Sequence, residues 1–185
     1  MEIEQIKQKA VAQIEAAFAD TPPPKAETYV IVNYACEFLT RNFTGKHWGE
    51  ITGDLLFKQR ECLSYLTPEA FRFYIPSYML AVLLHPDKVD TLMDRIVTDL
   101  APSSGQIWSN DHNAHLLKQA DRMSKRELEA ILAFLDVYQK YSVAKIAPFY
   151  DLWLPPFMEE RSRKLDCELE EAIKFWSSIR DRAEF

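Results

Sequence analysis

The polar side chains best placed to do chemistry lie in the most apolar run of the chain, Leu66-Thr67-Pro68-Glu69-Ala70-Phe71-Arg72-Phe73-Tyr74-Ile75-Pro76-Ser77-Tyr78. Arg72, Tyr74 and Tyr78, with Glu69 beside them, form a compact polar set. On a helix, Tyr74 and Tyr78 share a face, and Pro76, which has no N–H, leaves the Arg72 carbonyl without its usual partner. Arg72 offers a planar fork of donors suited to a carboxylate or a phosphate. The same residues also make a sound structural network, with Arg72 paired to a carboxylate of a neighbouring helix and the tyrosine hydroxyls meeting freed backbone groups. A guanidinium on a buried helix must reach water or be paired, and the structural reading is preferred.

Three other groups have the potential for chemistry of the same kind. Lys46-His47-Trp48 follows Gly45 and can present a partner-binding anchor through His47 and Trp48; the commoner outcome is a Trp folded back onto the core. Asp111-His112-Asn113-Ala114-His115 puts two imidazoles three apart on one helix face, with Asp111 or Asp121 as an oxygen donor. Nothing at suitable spacing completes four ligands, so His112 and His115 are expected to be solvated or capping residues, and no metal is expected. Cys36, Cys62 and Cys167 are far apart and have no placed base, which argues against a thiol nucleophile. No strand-turn-helix serine elbow, phosphate-cradling Gly loop or paired-carboxylate motif is present. No cofactor and no catalytic residue is expected.

These residues are positioned by helices. Thr67 can cap the central one, Pro68 suits its first position, and Glu69 meets the positive end of its dipole. From Ala70 to Leu84 the only charge is Arg72, the pattern of a helix buried on nearly every side. Pro76 should kink it. Phe71, Ile75, Met79, Val82 and Leu83 are expected among the least accessible residues. Before it, residues 2–19 carry Ile3, Ile6, Ala10, Ile14 and Phe18 on one face, and Pro22-Pro23-Pro24 end that helix. A helix over 28–43 is preferred to a strand at Tyr29-Val30-Ile31-Val32; Gly45 stops it, and a short helix follows around 53–62. After it come helices at 87–100 and 110–122. Ser124-Lys125-Arg126-Glu127 is a capping box that opens a helix burying Leu128, Ile131, Leu132 and Leu135. A proline-punctuated link leads to a last helix over about 158–182, striped with Leu165, Leu169, Ala172, Trp176 and Ile179. The expected fold is all-α: one domain over 1–185, a bundle of six to eight helices around a kinked central helix.

The bulk properties narrow the partners. The formal charge is -6 and no region concentrates Lys and Arg, which argues against nucleic acid. The longest uncharged apolar stretch, Phe73 to Leu84, has twelve residues; a membrane span requires about 20. Three scattered cysteines and a charged N-terminus suit reduced thiols in a cytosol.

Gly45-Lys46-His47-Trp48 followed by Leu66 to Tyr78 resembles an uncharacterised, mostly bacterial group of helical domains. In that group a Gly-Lys-x-Trp turn precedes a Leu-Thr-Pro-Glu-Ala-Phe-Arg-Tyr-Tyr-Leu-Pro-Ala-Tyr run, and Phe73, Ile75 and Ser77 are mild departures from it. The resemblance is good over about residues 36–84 and implies a helical, bacterial-type cytosolic protein with no assigned reaction. By analogy with other small acidic proteins, the function expected is a protein-binding module of the immunity or accessory kind. The alternative is a small-ligand binder or enzyme with a polar pocket at Arg72, Tyr74 and Tyr78.

Overall fold

The helix expected at the centre is there. In the computed structural model, which describes residues 3–25, 41–58, 63–85, 90–103, 109–146 and 156–183, a helix runs over Pro68–Leu84. The Thr67 hydroxyl accepts from the Ala70 N–H at 3.3 Å, and Pro68 opens the first turn, where the absence of an N–H costs nothing. From Ala70 to Leu83 every residue but Arg72 is buried. The five residues singled out as core are all inside, Ile75 and Met79 completely so. Pro76 does not end the helix.

In chain order the helices are α1 (Ile3–Phe18), α2 (Gly53–Lys58), α3 (Pro68–Leu84), α4 (Asp90–Leu100), α5 (Ser109–Ala120), α6 (Lys125–Ile146) and α7 (Pro156–Arg182). Two 3-10 turns, Trp48–Glu50 and Leu63–Tyr65, precede α3. Among the described residues that makes seven α-helices and no strand, an all-α fold as expected. None of the described helices is long and apolar enough to cross a membrane. The expected helix over 28–43 is seen only at 41–43; its earlier part, with Cys36, lies outside the described residues, as do Cys62, the end of the helix expected to 62, and most of the proline link before α7.

Helix α3 packs against α1, α2, α4, α5 and the Trp48 turn, so it is the shared wall of the bundle. Helix α6 lies along α1 on one side and α7 on the other, and α7 also covers α4. One continuous buried cluster takes Ile14 from α1, Leu56 from α2, Tyr74 from α3, Ile96 from α4, Leu116 from α5, Ile131 from α6 and Trp176 from α7. Gly45 stops the short helical turn at 41–43 with φ +74°, a left-handed conformation that glycine adopts without the Cβ penalty.

Candidate functional site

Arg72 has the carboxylate it required. Its Nε donates to both oxygens of Glu127, at 2.9 and 3.0 Å. Glu127 is 1% exposed and belongs to the capping box at the start of α6: its Oε2 accepts from the Ser124 N–H at 2.7 Å. The Thr21 hydroxyl, just past α1, donates to Oε1 at 2.9 Å. One buried carboxylate is therefore met by three chain segments, which offsets the cost of taking its charge from water. The capping box was legible in the sequence; that its glutamate is also the partner of Arg72 was not.

The rest of the polar set is not brought to a common opening. Tyr74 and Tyr78 are 0% exposed. The Tyr74 hydroxyl donates to the Phe43 carbonyl at 2.7 Å, so it ties α3 to the chain before Gly45 instead of serving the backbone freed by Pro76. Glu69 turns outward and pairs with Arg122 at 3.2 Å. The geometry thus spends Arg72, Tyr74 and Glu69 on contacts within the protein.

The Trp48 turn joins α1 to α3. Trp48 is buried, not projected as an anchor: its indole N–H donates to the Phe18 carbonyl, an end carbonyl of α1, at 3.3 Å. The Trp48 carbonyl in turn accepts from the buried Ser77 hydroxyl at 2.7 Å, next to Pro76. His47 caps the turn. Its Nδ1 accepts from the Gly49 N–H at 3.1 Å, and its own N–H donates to Glu50 at 2.7 Å. The His47 ring lies between Trp48 and Phe73, with ring centres 4.8 and 5.7 Å away. His47 is exposed, but both its cap and its ring are in use.

His112 and His115 do not act as caps and are not fully solvated. Each is half-buried and faces a backbone carbonyl: Nε2 of His112 lies 2.9 Å from that of Ala101, and Nε2 of His115 lies 3.1 Å from that of Leu66. A carbonyl cannot donate, so Nε2 of His112 carries the proton, whereas Nε2 of His115 also lies 2.8 Å from the Gln119 side-chain nitrogen, itself a donor. Burial pushes the His115 pKa down, partly offset by the Leu66 bond. Nearby, Asp99 is buried with its pKa pushed up by desolvation, against the opposing pull of Arg95 at 3.1 Å and the Ser64 hydroxyl at 2.7 Å. Among the described residues no three His, Cys, Asp or Glu side chains are grouped as a metal site would need.

An open cleft of about 520 Å³ lies where the Trp48 turn, the start of α2 and the end of α3 meet. Leu80, Ala81 and Leu84 of α3 line it, with Leu84 47% exposed, unusual for a large apolar side chain here. Glu15 of α1, Glu50 of the turn and Asp54 of α2 line it too, and among the described residues no Lys or Arg does. Sequence reasoning missed this site. Leu84 reads as the last residue of a core run, and Glu15 is far along the chain from Glu50 and Asp54.

A helical bundle built around one buried helix, with a cleft beside that helix's C-terminal end, defines the class of protein. Within that class the chain belongs to the family of unknown function DUF6714, whose model matches residues 7–146. That span takes in most of α1 and ends with α6, leaving α7 beyond it. No curated protein and no solved structure matches the chain.

Proposed function

We propose that the protein is a cytosolic recognition module that binds another protein through the cleft beside the Trp48 turn, in the manner of an immunity or accessory protein. The observation that carries this reading is the open cleft itself, where the exposed Leu84 stands beside Leu80 and Ala81 and is framed by Glu15, Glu50 and Asp54. A concavity that combines apolar side chains with a few polar ones is the usual form of a binding site. The structural bonds of the Trp48 turn support it as well, because they hold the cleft wall rigid before any partner arrives, which lowers the ordering cost of binding. The competing reading, a ligand pocket at Arg72, has less support: the guanidinium already grips Glu127 and both tyrosines are inside.

The test is a photo-crosslinking side chain placed at Leu84 in cells that make the protein, with the same group at Leu117 as control. Leu117 is exposed to a similar degree, 40%, and does not line the cleft. A discrete protein adduct from position 84 that is missing from position 117 is the expected outcome. No adduct at 84, or the same adducts at both positions, would end the proposal.

A further inference from the structure

We infer that α7 is a strap in two parts: its second half is fixed to the bundle, and its first half is an ionic latch that lifts from α4 and α6 while the helix stays attached. The two halves are held by different forces. From Leu169 onward one face is sealed in the core: Leu169, Ala172, Trp176 and Ile179 are buried, and the Trp176 indole donates to the Leu100 carbonyl. Among the described side chains from Glu160 to Glu168 none is buried; Leu165 and Glu168 are half-buried and the others are exposed. The described bonds that reach α4 from this half are polar and lie at the surface. Arg161 pairs with Asp94, the arginine 66% exposed and the aspartate 32%. Glu168 accepts from the hydroxyl of the exposed Thr98 at 2.9 Å. Exposed ion pairs contribute little and are screened by salt, whereas apolar burial is not a Coulombic effect. The first half therefore opens at a lower free energy than the second. Beside it, Tyr138 of α6 is 4% exposed and donates to Asp94 at 3.3 Å. Burial and the carboxylates of Asp94 and Asp166 push the Tyr138 pKa up, and Arg161 opposes them, so both ends of this bond feel the charges of α7. Lifting the latch uncovers Tyr138 together with Asp94, a donor and an acceptor that the closed strap occupies.

The test is amide hydrogen exchange of the full chain, read by mass spectrometry with fragmentation fine enough to separate residues 160–168 from 169–182. At about 0.01 M sodium chloride the first group should exchange about tenfold faster than the second. At about 1 M, where the screening length falls to about 3 Å, the first group should speed up several-fold and the second should not change. The double variant Arg161→Gln/Thr98→Val removes both polar links at exposed positions. It should show the fast exchange already at low salt, lose the response to salt and keep the wild-type melting curve. Equal protection of the two groups at low salt would overturn the inference, because α7 would then open as one piece. A salt response shared by both groups would overturn it for the same reason. Fast exchange of 160–168 that neither salt nor the double variant alters would do so too, since that half would be a frayed end with no latch. A marked fall in the melting temperature of the double variant would show that these links hold the whole helix, and the two-part strap would be wrong.

Discussion

Arg72 and Glu127 show what single residues contribute. The need for a partner was legible from Arg72 alone, because a guanidinium cannot neutralise itself inside an apolar helix. Which carboxylate answers it was hidden: 55 residues separate the two, and nothing in a local capping pattern says its glutamate will be buried. Replacing Arg72 by Ala leaves a carboxylate that is 1% exposed with only the Thr21 hydroxyl and the Ser124 N–H. We predict a loss of about 3 kcal/mol, at the low end for a broken buried pair because two donors remain. In a chain of this size that lowers Tm by about 6–12 °C. Arg72→Lys, which returns the charge without the fork, should recover part of it. A melting curve for Arg72→Ala that overlays the wild type would mean the pair does not hold the fold.

Among the elements, those with strong periodicity or clear caps were legible. Helix α3 has its expected start, α6 opens at its capping box, and α7, expected over about 158–182, spans Pro156–Arg182. The stripe read through Tyr138 underestimates α6, which continues to Ile146. Helix α7 is structurally integral although it lies beyond the family span. Trp176 is completely buried, and its indole N–H donates to the Leu100 carbonyl at 2.9 Å, meeting an end carbonyl of α4. Trp176→Ala is predicted to cost about 3–5 kcal/mol through the cavity it leaves. Trp176→Phe keeps most of the apolar contact and orphans the carbonyl, for about 1–2 kcal/mol. Chemical denaturation of the two variants separates these terms; equal losses would show that the hydrogen bond, not the packing, locks α7 to α4.

For the whole molecule, the sequence conveyed class and sign of charge but not the cleft, because the cleft exists only where α1, the Trp48 turn, α2 and α3 converge. The response to acid is likewise a property of the assembled fold. His115 has its pKa lowered by burial, so in the folded state it resists a proton that the unfolded chain accepts near pH 6.5. Its contribution is therefore present above about pH 6.5 and is lost as pH falls toward the lowered value. Asp99 has the opposite sign. Burial raises its pKa, so its contribution is full below about pH 3.9 and is lost as pH rises through the raised value. Comparing urea melts at about pH 7 and pH 5 tests the first effect. The stability advantage of the wild type over His115→Gln should shrink at the lower pH. An advantage that is constant, or that grows, would contradict a suppressed proton affinity at His115.

The three-segment grip on Glu127 also dictates an order of events. The Ser124 N–H is a local partner that comes with the first turn of α6, whereas Thr21 and Arg72 arrive from 106 and 55 residues away. Local contacts close early in folding, and distant ones wait on loop closure. Glu127 should thus stay hydrated until α1 and α3 dock, and an intermediate with either helix in the wrong register would trap a bare carboxylate. The pair then acts as a checkpoint on assembly. Ser124→Ala keeps the Ser124 N–H but removes the hydroxyl that accepts from the Glu127 N–H at 3.4 Å, the other half of the local cap. It is expected to slow refolding, while Arg72→Ala should chiefly speed unfolding, a division that stopped-flow kinetics would reveal.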